Sequence, residues 1–276
     1  MTDSNCWRSI VRSDDLETRM RRFEAALDAP IPPGFQIVAR LDGRSFTRLT
    51  HEVCDFEAPF DRGFHDLMAA TSRHLMACGF NILLAYSESD EISLLFHPDE
   101  GSFGRKPRKW ISVLAGEASG AFSLALGRVA AFDGRLSILP GPEQVVDYFR
   151  WRMNDAARCC LNGHAYWLLR DQGLSARTVA GRLQGMSRAD KHELLFQHGI
   201  NFDALPTWQK RGFGIYWRER QITGHNPLTN KETLVLRRSL YMDDDLPWNE
   251  EYAAAIGRLL AGLEFRAAGG EFGLSS

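Results

Sequence analysis

Two short segments carry the chemistry of this 276-residue chain. Arg40-Leu41-Asp42-Gly43-Arg44-Ser45-Phe46 places Asp42 at the end of an apolar run, and Ala85-Tyr86-Ser87-Glu88-Ser89-Asp90-Glu91 places Asp90 between two others. Two carboxylates meeting at one point suit phosphoryl transfer, because hard oxygen ligands bridge a pair of Mg²⁺ ions about 3.5 to 4 Å apart. Mg²⁺ keeps waters and takes further ligands from substrate phosphates, so Asp42, Asp90 and the Gly43 carbonyl suffice as protein ligands. Gly43 lets the chain turn tightly, and the amides of Arg44, Ser45 and Phe46 form a candidate nest for phosphate oxygens. An Asp-Gly pair more often marks an ordinary turn, and Asp133-Gly134-Arg135 is read that way. Asp90 and Glu91 adjoin on a strand and point to opposite faces. Asp90, at the mouth of a hairpin, is the ligand; Glu91 is either an outer support or a solvated strand residue. Lys109, opening a later helix, is a candidate triphosphate contact, in competition with Arg105, Lys106 and Arg108.

Other chemistries lack their residues. The histidines are scattered with no H-E-x-x-H spacing, and no G-x-x-x-x-G-K-[ST] loop, G-x-S-x-G elbow or Cys-His signature occurs. Cys6, Cys54, Cys78, Cys159 and Cys160 contain no C-x-x-C pair, which argues against a disulfide framework or structural zinc and for a reducing cytoplasm. Adjacent Cys159 and Cys160 read as buried, apolar-like thiols in preference to a redox pair. The net charge of −2 restricts any polyanion partner to local patches. Candidates are Arg19, Arg21 and Arg22; Arg105 to Lys109; and Lys210, Arg211, Arg218 and Arg220. No apolar stretch approaches the roughly 18 residues of a spanning helix, and Met1 to Arg12 lacks the apolar core of a signal peptide, so no membrane association is expected.

Positioning the two aspartates requires a particular order of elements. A charged helix around Asp15 to Leu27 precedes Pro32-Pro33, and Gln36 to Leu41 reads as a buried strand ending at Asp42-Gly43. A helix opening at Pro59 and ending at Gly79 follows, then a hairpin of Asn81 to Tyr86 and Ile92 to Phe96. Arg108 to Leu126 is helical, Asp133-Gly134 turns, Leu136 to Leu139 is a strand, and Pro140-Gly141-Pro142 closes the element. The fold class is α+β: a polymerase-type palm with βαββαβ order, a ferredoxin-like antiparallel sheet with helices on one face, over residues 1–142. In that split-βαβ arrangement the first and third strands lie side by side, which brings Asp42 and Asp90, 48 residues apart, to one sheet edge. Residues 143–276 form a mostly helical region, with helices Glu143 to Arg170, Ser175 to Leu183 and Ser187 to Gln197. A hairpin near 214–241 pairs across Gly224-His225-Asn226-Pro227, and Asn249 to Phe265 is the last helix.

The two aspartate segments resemble the metal motifs of the tRNA-His guanylyltransferase family. Phe132-Asp133-Gly134-Arg135, Asp147 to Arg152, Gly181 to Gly185 and Asp190 to Phe196 resemble further family segments in the family's order, over roughly residues 15 to 215. The resemblance implies an enzyme that adds nucleotides to the 5′ end of tRNA in the 3′-to-5′ direction. The 5′ end is activated with ATP or as a triphosphate, and the 3′-hydroxyl of GTP then attacks it. It also implies that Asp42, the Gly43 carbonyl and Asp90 hold two Mg²⁺ ions and that Asp42, Gly43, Arg44, Ser45, Phe46, Thr47 and Ser89 bind nucleotide. Lys109 would contact triphosphate, and the chains would assemble as a homo-oligomer, a tetramer or dimer. Where eukaryotic members carry His-Ile-Asn-Asn-Leu-Tyr-Asn, this chain has Ala157-Arg158-Cys159-Cys160-Leu161-Asn162-Gly163. That departure favours the bacterial and archaeal "like" proteins, which resemble template-dependent repair enzymes for 5′-truncated tRNA. Two other readings use the same residues: a palm-type nucleotide or dinucleotide cyclase, which would make cyclic products from GTP alone, and a non-catalytic RNA-binding protein with a retained palm.

Overall fold

The computed structural model describes residues 13–226 and 231–266. Pro227, Cys6 and the Gly269 tail lie outside them. The palm consists of strands β1 (Gln36–Gly43), β2 (Ile82–Glu88), β3 (Glu91–Phe96) and β4 (Phe132–Leu139), with β5 (Phe213–Asn226) and β6 (Lys231–Asp243) following later in the chain. They form one antiparallel sheet in the order β4-β1-β3-β2-β5-β6. The first and third strands are therefore neighbours, as the βαββαβ order predicts.

Every residue of β2 is buried and β3 is buried beyond Glu91. Unbroken apolar runs of this kind belong to strands covered on both faces. One face is covered by α3 (Arg62–Met76) and α4 (Pro107–Leu126), whose Met68, Leu75, Trp110, Leu114 and Phe122 pack on Leu41, Ile92 and Leu94. The opposite face is covered from beyond Pro142. There α5 (Pro142–Asp171) and a later helix, Asn249–Leu260, set Val145, Phe149, Tyr252 and Ile256 against Val38, Leu84, Tyr86 and Leu95. The 30 residues of α5 span about 45 Å. Its second half leaves the sheet and packs Leu161, Ala165 and Leu169 on α6 (Ala176–Gln184) and α7 (Arg188–Gln197). Ser175 and Ser187 cap these two helices, the latter in a full capping box.

Local differences from the sequence reading have local causes. Helix α3 begins at Arg62 and not at Pro59, because the Asp61 carboxylate accepts the Phe64 N–H at 2.9 Å and caps it. The N-terminal helix, α1, spans Ser13–Glu24, and a short α2 (Phe46–Arg48) follows β1. Asp133-Gly134 is not a turn. Both residues lie inside β4, opposite Asp42 and Leu41, and a Cβ on Gly134 would sit 3.0 Å from Leu41 Cδ2 and 3.4 Å from Ile111 Cγ2, so this glycine lets α4 approach the sheet. The hairpin of β5 and β6 does not stand apart from the palm: Phe213 to Tyr216 pair with Ser87 to Leu84 and continue its sheet. Its strands remain paired through Asn226 and Lys231, beyond the turn expected at Gly224. The α8 segment (Thr207–Arg211) precedes β5, and the last helix, α9 (Asn249–Leu260), stops short of Phe265, which is itself fully buried against Tyr216. Among the described residues no helix is long and apolar enough to cross a membrane.

Candidate active site

The end of β1 and the β2–β3 turn meet as their sequence order requires. Asp42 stands opposite Glu91 in the ladder, and the Gly43 N–H donates to the Asp90 carbonyl at 3.1 Å. Ser89 and Asp90 form the two-residue connection between β2 and β3, with Ser89 at φ 48°. Burial pushes the Asp90 carboxyl up to about 6; hydrogen bonds from its own amide and the Ser89 hydroxyl oppose that shift, while the nearby Asp42 charge adds to it. Two acidic groups, one of which raises the other's affinity for a proton, could also hold a cation. Their donors are hard oxygens, which suits Mg²⁺ in preference to a soft metal. Among the described residues no third His, Cys, Asp or Glu joins them in a ligand cluster. A bound divalent ion would therefore draw its other ligands from backbone, water and substrate.

The loop after Asp42 is held from beneath. Phe46 is 2% exposed, with its ring 5.0 Å from Phe122, 5.0 Å from Phe132 and 6.1 Å from Phe64. Ser45, at φ 61°, turns the chain so that this ring passes directly under Gly43, where an added Cβ would lie 2.4 Å from Phe46 Cγ. Gly43 is thus required by the close approach of an aromatic anchor. The Arg44 amide does not belong to a phosphate nest: it donates to the Ala131 carbonyl at 2.9 Å, tying the loop to β4. Of the residues that follow, Phe46 and Thr47 line the cavity beside Asp90.

Beside the carboxylates opens a cavity of about 130 Å³. Its lining includes Thr47, Ser89 and Asp90 together with Phe56, Phe60 and Trp208, the last two with ring centroids 5.9 Å apart. His65 also lines it. This histidine is buried, with its ring nitrogens each 3.0 Å from the carboxylates of Asp66 and Asp244 and its ring 4.6 Å from both Trp208 and Phe213. The aromatic wall draws on segments more than 150 residues apart, and no motif in the sequence announced it.

Lys109 is not among the residues that line this cavity. It is exposed in the first turn of α4, next to Trp110, which packs 4.6 Å from Phe96 at the end of β3 away from Asp90. Its rivals are engaged in structural contacts: the Arg105 guanidinium donates to the carbonyls of Ile31, Phe35, Pro98 and Glu100, while Lys106 and Arg108 both pair with Asp28. In the C-terminal patch, Lys210 donates to the Asp203 carbonyl and Arg211 to that of Leu246. Cys160 is fully buried, with burial pushing its thiol up to about 12, whereas Cys159 is exposed.

Glu91 is not a solvated strand residue. Arg152 Nη2 on α5 donates to both of its oxygens at 2.6 and 2.8 Å, and Arg40 Nη1 lies 3.4 Å away. Arg152 also donates to Glu88, and the arginine is 4% exposed. The sequence reading assigned no role to Arg152 or Glu88. The available signal was a cluster of unlike charges in segments otherwise apolar enough to be core.

Residues 17–140 match the family model described as tRNAHis guanylyltransferase (Thg1), and residues 143–242 match the Thg1 C-terminal domain. The chain is 33% identical over 207 residues to a probable tRNA(His) guanylyltransferase of Drosophila melanogaster, a match covering 71% of this chain and 72% of that relative. Among solved structures, a bacterial Thg1-like protein in complex with GTP superposes with a TM-score of 0.65 at 26% identity, covering 85% of this chain and 93% of the other. A bacterial Thg1-like protein in complex with ATP matches with the same TM-score at 25% identity, covering 84% and 93%. With a palm that unites Asp42 and Asp90 and matches on both sides of Pro142, the chain belongs to the tRNAHis guanylyltransferase family of nucleotidyltransferases.

Proposed function

We propose that this chain adds guanylate from GTP to the 5′ end of a tRNA, extending it in the 3′-to-5′ direction with two Mg²⁺ ions held by Asp42, the Gly43 carbonyl and Asp90. The observation that carries this reading is the meeting of Asp42 and Asp90 beside an aromatic cavity, on a loop whose backbone is pinned by Phe46. Bound there, the ions would stabilise charge on the phosphates and ease loss of the proton from the attacking 3′-hydroxyl. The residues of the chain supply the geometry. Asp42 and Asp90 present acceptors from two different strands, and Ser89 directs its hydroxyl to Asp90 at 3.2 Å. Phe46 and Thr47 line the cavity where a nucleotide would lie, with Ser45 before them in the loop, and Phe56, Phe60 and Trp208 supply aromatic rings against which a purine can pack. GTP and ATP as substrates are supported by the nucleotides held by the solved relatives, and tRNA by the function named for the family.

The segment Ala157 to Gly163 lies within α5; its departure from the eukaryotic His-Ile-Asn-Asn-Leu-Tyr-Asn motif, of which only the Leu remains, is what favours repair of 5′-truncated tRNA over a dedicated single addition to tRNA-His. The test is a 5′-end addition assay with labelled GTP on full-length tRNA-His, truncated tRNA-His and another truncated tRNA. Extension of the truncated substrates to native length is the expected result. Cyclic products from GTP without RNA would overturn the reading in favour of a cyclase, and Mg²⁺-independent tRNA binding without turnover would overturn it in favour of a binding protein.

A further inference from the structure

Glu88 closes β2 and Glu91 opens β3, and the two are directly opposed across the ladder. Two largely buried carboxyl groups in that relation need a shared donor, because an unpaired buried polar group is costly. Between them lie only Ser89 and Asp90. The Arg152 Nη2 reaches both carboxylates, Nη1 lies 3.2 Å from Asp155, and the guanidinium sits 4.7 Å from the Trp151 ring centroid. The helix that carries Arg152 is seated on the same strand by a second polar contact, between Tyr148 and Ser93 hydroxyls at 3.1 Å.

Resting on the proposed metal site, we infer that Arg152 is a positioning residue: one guanidinium clasps both stems of the Ser89-Asp90 turn and sets the Asp90 carboxylate against Asp42. Arg152 touches neither metal nor substrate in this role. The turn has two restraints, the Gly43 N–H bond to the Asp90 carbonyl on one side and the Arg152 clasp behind it. Without the clasp, the oxygens of Glu88 and Glu91 lose the donor that joins the two stems, so the turn is held only from the Gly43 side and Asp90 loses its register with the end of β1. Arginine is suited to this place because its planar fork can serve two carboxylates at once, whereas a lysine ammonium is a single point charge. The same geometry explains why a cation is buried beneath a site that must itself bind cations. It is spent on Glu88, Glu91 and Asp155, which would otherwise compete with Asp42 and Asp90 for the metal.

The test uses the full-length chain and Mn²⁺ as the probe, with the free ion followed by electron paramagnetic resonance. Wild type, Arg152→Lys, Arg152→Met and Glu91→Gln are compared, together with thermal unfolding and with kcat and KM for GTP on a truncated tRNA. Arg152→Lys is expected to weaken Mn²⁺ binding by about tenfold or more, in the range for residues that orient metal ligands. It should lower kcat by a similar factor while KM for GTP changes little, and Arg152→Met should be worse. If either Arg152 variant does not fold, Glu91→Gln carries the test: it preserves the shape, removes one charge from the clasp, and should also weaken Mn²⁺ binding. Folded Arg152→Lys or Glu91→Gln protein with wild-type Mn²⁺ affinity would overturn the inference while leaving the metal site intact. Wild-type protein whose Mn²⁺ binding is unaffected by Asp42→Asn would overturn the metal site, and this inference with it.

Discussion

The contact between Gly43 and Phe46 can be tested as a pair. Gly43 has no positive φ, so alanine is conformationally acceptable there, and the nearest obstacle is the Phe46 ring, 2.4 Å from the new Cβ. Gly43→Ala should therefore cost about 1 to 3 kcal/mol of stability, the usual range for overpacking. Phe46→Ala removes a 2% exposed ring with three aromatic neighbours and should cost about 3 to 5 kcal/mol. In the double variant the alanine methyl enters space the ring has vacated. The double variant should then cost no more than Phe46→Ala alone, leaving a coupling of about 1 to 3 kcal/mol between the two sites. Urea unfolding of the four proteins, with similar m values, measures this cycle. Nucleotide transfer should not recover in the double variant, because the loop bearing Asp42 has lost its anchor. Effects on stability that add to within about 0.5 kcal/mol would refute the account of why position 43 is glycine.

Asp42→Asn and Asp90→Asn should each abolish transfer while leaving tRNA affinity within a few-fold, as read by product gels and filter binding, because they remove the proposed metal ligands and not RNA-positioning contacts. Treatment with EDTA should stop transfer and excess Mg²⁺ should restore it; full activity in the chelator would remove the metal from the mechanism. Gly212→Ala should destabilise the chain by more than about 2 kcal/mol, since its φ of 68° disfavours a side chain and its Cβ would lie 2.3 Å from the Ser87 carbonyl oxygen, where β5 docks on β2. Gly116→Ala, in an exposed part of α4 with nothing within 4 Å of the new Cβ, should instead stabilise it by about 0.5 to 1 kcal/mol in the same denaturation assay.

The elements that could be read in advance are those whose signals are local. The helix from Pro107 to Leu126 follows from its apolar spacing, the hairpin around Ser89-Asp90 from two apolar runs with a polar break, and the helices beginning after Ser175 and Ser187 from their caps. The Asp133-Gly134 misreading shows the limit of local signals. The pair has the composition of a turn, yet Gly134 is a strand residue kept small by Leu41 and Ile111, one distant in sequence and the other on a helix.

Chain order and residue type led to the expectation that Asp42 and Asp90 would meet, because the split-βαβ arrangement sets the first and third strands side by side, as they are in the sheet. Only the tertiary structure decided what surrounds them. The second helical layer, the docking of β5 on β2, the wall made from Phe56, Phe60 and Trp208, and the Arg152 clasp all join segments separated by tens to hundreds of residues. Such contacts depend on how packed faces approach one another, and periodicity along the chain identifies each face without naming its partner.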